Sequence, residues 1–227
     1  MLVVFDCFET LVKSTASAPR PEHWASLFAR HLGISSVRAQ RAIYPMINSC
    51  LSYGQINMST EHVLRRTLCR GSDTPSMAEA LSALWVAAGN ADGRYIAADG
   101  ARGLLEHLVA SGHTVRLLSN CILTRGQMAR LLRELDLLKP FDEMHLSSEG
   151  VGKKPDLAFF ARAARGVWEE VVMVGDSYEI DIAPADRLGW HTVNVSTEAN
   201  PWHAVVRRID GISSSDGSSL SKGFLWN

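Results

Sequence analysis

The chain has 227 residues, 46% of them hydrophobic and 21% charged, with a net charge of −1. That balance builds one large globular domain, or a core with a smaller insert. It excludes a global field for nucleic acid or for an anionic membrane, and no apolar run reaches the ~18 residues of a membrane span. The start MLVVFDCF has no basic n-region and meets an acid at Asp6, so it does not read as a signal peptide. Cys7, Cys50, Cys69 and Cys121 are scattered, with no CxxC pair. They read as reduced thiols of a cytoplasmic protein rather than a disulfide framework or a zinc site.

In chain order, residues 2–5 form a short apolar run suited to a strand buried on both faces. KSTASAPRP, with two prolines, reads as loop. From about residue 22 to 90 the periodicity is helical. HWASLFARHL spaces Trp24, Leu27, Phe28 and Leu32 on one face, and VRAQRAIYPMINSCL continues the pattern with Pro45 as a break or kink. STEHVLRRTL opens on Ser59 and Thr60 as N-caps, and SMAEALSALWVAA is a further helix ending near Gly89.

The pattern changes after Asp92. GARGLLEHLVASG predicts a helix, TVRLLSN a strand, and RGQMARLLRELDLL a helix closed by Lys139-Pro140. EMHLSSEG predicts a short strand, PDLAFFARAARG a helix, EEVVMVGDS a strand, DIAPADRLG a helix and WHTVNVS a last strand. The Ser- and Gly-rich tail over 210–222 reads as loose, with Ile209 and Leu220 as residues able to pin it. Helix and strand in alternation predict an α/β fold with a doubly wound, Rossmann-like parallel sheet. Some 80 mostly helical residues separate the first strand from the next. The simplest organisation is a core domain at 1–13 and 95–227 with an all-helical cap domain at 14–94. An insert leaving the C-terminal end of strand one hangs over the edge where such sheets bind ligands.

Four strand ends carry reactive groups. Asp6 ends the first, Ser119-Asn120 the second, Lys153-Lys154-Pro155 follows the third, and Gly175-Asp176 ends the fourth, with Asp181 five residues on. A parallel sheet gathers these ends on one edge. Asp6, Asp176 and Asp181 there would crowd negative charge and call for a cation. Hard oxygen ligands beside a phosphate favour Mg²⁺. A lysine and the Ser119 hydroxyl supply what a phosphoryl group needs, and a carboxylate can attack phosphorus to form an aspartyl-phosphate.

These pieces, as VVFDCFET, VRLLSN, GVGKKPDLAFF and VGDSYEIDIAPA in that order, resemble the four motifs of the haloacid dehalogenase (HAD) superfamily of hydrolases. The likeness covers roughly residues 1–13 and 98–196, and the insert sits where members with a C1-type cap carry theirs. The resemblance implies Asp6 as nucleophile, and Mg²⁺ held by Asp6, the Phe8 carbonyl and Asp176. It implies a phosphate-binding set of Ser119, Asn120, Lys154 and Thr10, with Thr10 also steadying the loop. Lys154, directly before Pro155, matches the motif lysine better than Lys153. Asp181 matches the second acid of the fourth motif. Asp6, Lys154, Ser119 and Asp181 form the implied catalytic group.

Two positions depart from the pattern. Where phosphatases of the superfamily carry the acid that protonates the leaving group, this chain has Phe8, as 2-haloacid dehalogenases do. Glu9 stands where glycine is usual. The acidic fourth motif favours Mg²⁺-dependent phosphate chemistry on a small phosphorylated metabolite. A 2-haloacid dehalogenase using Asp6, and a catalytically silent binding protein, are the alternatives. Within the insert, Trp24, Phe28, Tyr44, Tyr53 and Trp85 read as core, and Arg41, Arg65, Arg66 and His62 as solvated. No nucleic-acid or membrane partner is expected. The apolar KGFLW near the end has three readings: docking on the core, docking on a second subunit as a homodimer, or disorder.

Overall fold

The computed structural model of the chain describes residues 1–15, 20–52, 54–69, 74–166 and 168–215. Five parallel strands form the central sheet: β1 (Leu2–Phe5), β4 (Thr114–Ser119), β5 (Glu143–Leu146), β6 (Val171–Gly175) and β7 (His191–Asn194), in the order β5-β4-β1-β6-β7. β1 lies at the centre, and all four of its residues are fully buried. Side chains alternate across a strand. Val3 and Phe5 therefore enter one apolar cluster, and Leu2 and Val4 enter another with Leu118, Phe159 and Phe160. A strand buried on both faces needs the unbroken apolar run that LVVF provides. Phe5 is level with Leu117 of β4 and with Val174 of β6, so the three strands end at nearly the same height.

The helices of the core are α5 (Ala101–Ala110), α6 (Arg125–Glu134), α7 (Leu157–Ala163), α8 (Ala183–Arg187) and α9 (Pro201–Ser215). α6 stops earlier than LLRELDLL suggests. Asp136 turns left-handed at φ 55, and the chain leaves the helix before Lys139-Pro140. The expected helix after Asp181 is preceded by a π-turn over Tyr178–Ile182. Residues 210–215, read as loose tail, continue α9, whose Val205, Ile209 and Ile212 are buried. Spacings of three and four residues put them on one helix face. Tyr53, Leu220 and KGFLW lie outside the described residues.

Between β1 and α5 the chain forms β2 (Val12–Ser14), the helices α1 (Pro21–Leu32), α2 (Ser36–Leu51), α3 (Thr60–Thr67) and α4 (Met77–Ala88), and β3 (Tyr95–Ala97). β2 and β3 pair antiparallel, so the outgoing and returning chains form a ribbon. KSTASAPRP hid this, because Lys13 and Ser14 belong to a strand of only 3 residues. Ser59 caps α3 as expected, with Thr60 already the first residue of the helix, and Ser35 and Ser76 cap α2 and α4, the last with Glu79 in a capping box. Pro45 does not break α2. The carbonyl it leaves without a donor belongs to exposed Arg41, while Ile43 and Met46 are fully buried and keep the turn in place. Phe28 and Trp85 are buried, and Arg41, His62, Arg65 and Arg66 are exposed, as their spacing implies. No helix among the described residues is long and apolar enough to cross a membrane.

The turn joining β1 to β2 explains the unusual Glu9. The Leu11 and Val12 N–H groups both donate to the Cys7 carbonyl at 2.9 Å, and the Glu9 N–H donates to the Val12 carbonyl at 2.7 Å. Closing that turn forces Glu9 to φ 58, a left-handed conformation that suits glycine. For an L-residue this costs about 1–2 kcal/mol, partly offset in a glycine by its greater unfolded freedom. Glu9→Gly is therefore expected to stabilise the fold by about 0.5–1 kcal/mol in urea titration, and Glu9→Val to destabilise it.

Candidate active site

The parallel register brings the predicted residues to one edge. Asp6 directly follows β1, Ser119 is the last residue of β4, and Asp176 directly follows β6. Asp181 sits in the π-turn, and Lys154 lies on the loop between β5 and α7. The Asp6 N–H donates to the Val174 carbonyl at 2.9 Å, so the first acid is tied to the strand that carries the second. Gly175 makes room for the third. A Cβ there would lie 2.5 Å from the Asp181 side chain, so only glycine lets the π-turn fold back this closely.

Lys154 is the centre of the cluster. Its ammonium donates to Asp6 Oδ1 at 2.5 Å and to Asp181 Oδ1 at 2.6 Å, and all three groups are buried. Lys153 points elsewhere: its Nζ donates to the Asn48 and Ser49 carbonyls of α2, at 3.3 and 2.8 Å. The geometry thus selects Lys154 over its neighbour as the lysine of the site. Asp181 Oδ2 accepts the Ser177 N–H at 3.1 Å. It faces inward and does not cap α8, whose start has no side-chain cap. The fully buried Thr10 hydroxyl lies 3.4 Å from both Asp6 Oδ2 and Asp176 Oδ1 and bridges the two acids.

The electrostatics follow from burial. Desolvation pushes the Asp6 carboxyl up to about 7; the Lys154 ammonium opposes the rise, and the Asp181 charge adds to it. Burial, then the charge of Asp181, also raises Asp176. Burial works against the Lys154 ammonium, yet Asp6 and Asp181 hold its pKa above the usual lysine value. Asp6, Asp176 and Asp181 offer oxygens all within 4.8 Å of one another. With all three ionised, the carboxylates would exceed the one ammonium by two negative charges, which a divalent cation would balance. The neighbouring Cys7 thiol is pushed well above its usual pKa by burial and by Asp6, so it supplies no competing thiolate.

The remaining predicted residues divide by what they touch. Ser119 Oγ is buried and has no hydrogen-bond partner among the described residues, as a hydroxyl waiting for a ligand would be. Asn120 instead grips its neighbour's main chain: Nδ2 donates to the Lys154 carbonyl at 2.9 Å, and Oδ1 accepts the Lys154 N–H at 2.8 Å. The Phe8 ring packs on Tyr95 of β3, with centroids 5.2 Å apart. Its carbonyl accepts no hydrogen bond from the described residues.

Asn57, on the loop between α2 and α3, escaped the sequence reading. Its Nδ2 donates to the Ser49 and Ser147 carbonyls at 3.1 and 2.9 Å, and its Oδ1 accepts the Gly152 N–H at 2.9 Å. It joins the insert to the loop that leads to Lys154. No motif marks QINMST, so no sequence signal could have found it.

The model of the haloacid dehalogenase-like hydrolases matches residues 1–189. No curated protein matches the chain. Among solved structures, a 2-haloacid dehalogenase from Pseudomonas syringae pv. Tomato aligns with TM-score 0.61 at 19% identity, over 92% of this chain and 97% of its own. A HAD phosphatase from Thermococcus onnurineus aligns with TM-score 0.54 at 18% identity, over 92% and 98%. A HAD-hydrolase from Bacillus subtilis bound to magnesium aligns with TM-score 0.50 at 16% identity, over 88% and 91%. At these identities the likeness is one of fold, shared by phosphatase and dehalogenase alike. With the family model spanning most of its length and a helical insert following the first strand, the chain belongs to the haloacid dehalogenase-like hydrolases.

Proposed function

We propose that the protein is a Mg²⁺-dependent phosphohydrolase acting on a small phosphorylated molecule through an aspartyl-phosphate. The observation that carries this reading is the surplus of carboxylate at buried Asp6, half-buried Asp176 and buried Asp181 around the ammonium of Lys154. Such a surplus repels any anionic substrate, phosphate or haloacid, unless a cation balances it. All the donors are hard oxygens, which suit Mg²⁺. Asp6, Asp176 and the Phe8 carbonyl would hold the ion; a related HAD-hydrolase of Bacillus subtilis was solved with magnesium bound. Bound there, Mg²⁺ supplies charge neutralisation and alignment of the phosphoryl oxygens.

The chain's own groups supply the rest. An Asp6 oxygen attacks phosphorus, the bond to the leaving oxygen breaks, and its electron pair departs with that oxygen. Lys154 and the unpartnered Ser119 hydroxyl hold phosphoryl oxygens, while Asn120 keeps Lys154 in register and Thr10 keeps Asp6 beside Asp176. Water then attacks phosphorus and frees Asp6. Asp6 is only 6% exposed under the insert, which favours small substrates. The net charge of −1 offers no field for a polyanionic partner. Phe8 favours the second reading, a 2-haloacid dehalogenase, because a departing halide needs no proton. The uncompensated carboxylates weigh against it, since a 2-haloacid is itself an anion.

Three measurements test this account. A phosphate-ester panel with and without Mg²⁺, scored beside chloride release from 2-chloropropionate, is expected to show metal-dependent phosphate release abolished by Asp6→Asn. Chloride release persisting in EDTA would establish the dehalogenase instead. Phe8 leaves no general acid at its position, so aryl phosphates are expected to turn over far faster than alkyl phosphates. Phe8→Asp should then narrow the gap by about 10²-fold, within the usual range for a positioned acid. In EDTA, Asp6 ionises near pH 7 in the folded state against 3.8 unfolded, so its contribution to stability is full below about pH 4 and is lost as the pH rises through 7. The thermal midpoint in EDTA is expected to fall between about pH 4 and 7 and to level off above, Asp6→Asn to reduce that fall, and Mg²⁺ to raise the midpoint again at pH 8.

A further inference from the structure

The adjacent lysines of GVGKKP face opposite partners. Lys154 reaches into the site, to Asp6 and Asp181. Lys153 reaches into the insert and donates to the Asn48 and Ser49 carbonyls. Those carbonyls lie in the last turn of α2, where the helix has no donors of its own to give them and no basic residue of its own nearby. The core loop therefore caps an insert helix, and the lysine that does so is 8% exposed.

The insert grips the same loop at further points. Asn57 spans Ser49, Ser147 and Gly152, so one side chain ties α2, the end of β5 and the residue before Lys153. Gly150 stands at φ 72, and a Cβ there would lie 2.5 Å from the Ser59 nitrogen, so the two backbones touch directly. On the core side, Lys154 itself is gripped by Asn120. The loop approaching Lys154 is thus fixed by groups that belong to the insert.

We infer that docking of the insert and placement of Lys154 are one event: Lys153 and Asn57 are positioning residues that set the catalytic loop only while α2 is seated on the core. The inference rests on the proposed phosphohydrolase reading for its kinetic consequence, and on geometry alone for the coupling. When the insert lifts to admit substrate, Lys153 loses its carbonyls and residues 150–153 lose Asn57. Lys154 is then held by Asn120 and its ion pairs only. The site is complete when the insert closes, which keeps the buried nucleophile unpaired with water until a substrate of the right size lies beneath.

The test compares wild type with Lys153→Met, Lys153→Arg and Asn57→Ala. Amide hydrogen exchange is read by mass spectrometry over 147–154 and 48–59. In parallel, kcat and KM are read on p-nitrophenyl phosphate with Mg²⁺. Lys153→Met is expected to speed exchange in both segments and to lower kcat/KM by about 10-fold, the scale of a small misplacement at a reacting centre. Lys153→Arg, which keeps the donors, should restore both. Asn57→Ala breaks the same clamp from the insert side and should reproduce the pattern, so the coupling stays testable if Lys153→Met does not fold. Faster exchange over 48–59 with 150–154 unchanged, in either variant, would overturn the inference. Wild type without phosphatase activity would sink the phosphohydrolase reading and leave the exchange result to decide the coupling.

Discussion

The structure turns on one buried ammonium between two buried carboxylates. Lys154, within 2.6 Å of both Asp6 and Asp181, allows acids from two different strand ends to approach each other away from water. Without it the desolvation cost of each carboxylate would add to their mutual repulsion. Other features of the site serve that contact. The central strand is buried on both faces so that its end is fixed, Gly175 has no side chain so that Asp181 can fold back, and Asn120 holds the lysine's main chain. The pairing is incomplete, because Asp176 lies in the same cluster and forms no ion pair among the described residues, where Lys154 pairs with Asp6 and Asp181. That residual charge is the feature the proposed chemistry depends on.

A second lysine extends the same constraint into the insert. Lys153 binds α2 on one side of the loop, and Lys154 binds the acids on the other. The polar contacts across the boundary also include Thr60 to the Ile122 carbonyl at 2.8 Å and Gln127 to the Leu81 carbonyl at 2.7 Å. Contacts of this kind break and reform at little net cost, because water replaces each partner. They lie beside an apolar seam, since one buried cluster runs from Phe28, Ile43 and Leu84 of the insert to Phe5, Leu104 and Leu117 of the core.

Phe8 divides the family from the reaction. Its ring is part of the packing between the first loop and the β2–β3 ribbon, against Tyr95, and it carries no proton to give. The main chain at the same position remains free of hydrogen bonds from the described residues and suits a metal. One residue thus preserves a backbone role and gives up a side-chain role. Fold likeness cannot separate the outcomes, since a dehalogenase and a phosphatase align over nearly the same span.

Much of this was legible in the chain itself, because its signals are local. Four apolar residues before Asp6, a small polar pair after TVRLL, and Gly-Asp after VVMV mark strand ends. Strand ends of a parallel sheet share an edge, so the acids, the serine and the lysine could be assembled from order alone. The cap at Ser59 placed the start of α3 in the same way. Where the reading strayed, the cause was tertiary. Pro45 stays in its helix because Ile43 and Met46 are buried, and the strand at Lys13–Ser14 exists only through its pairing with β3. The lysine before Pro155 was legible as the one that enters the site, but that Lys153 turns to α2, that Asn120 positions Lys154 and that Asn57 clamps the loop depend on contacts between residues 34 to 105 apart in sequence, and no local pattern encodes their distance. The sequence by itself determined the family, the parallel sheet and the set of reactive groups, because periodicity and strand-end chemistry are written residue by residue. The tertiary structure alone decided how those groups are paired, because charge compensation depends on distances that exist only once the sheet and the insert have closed on each other.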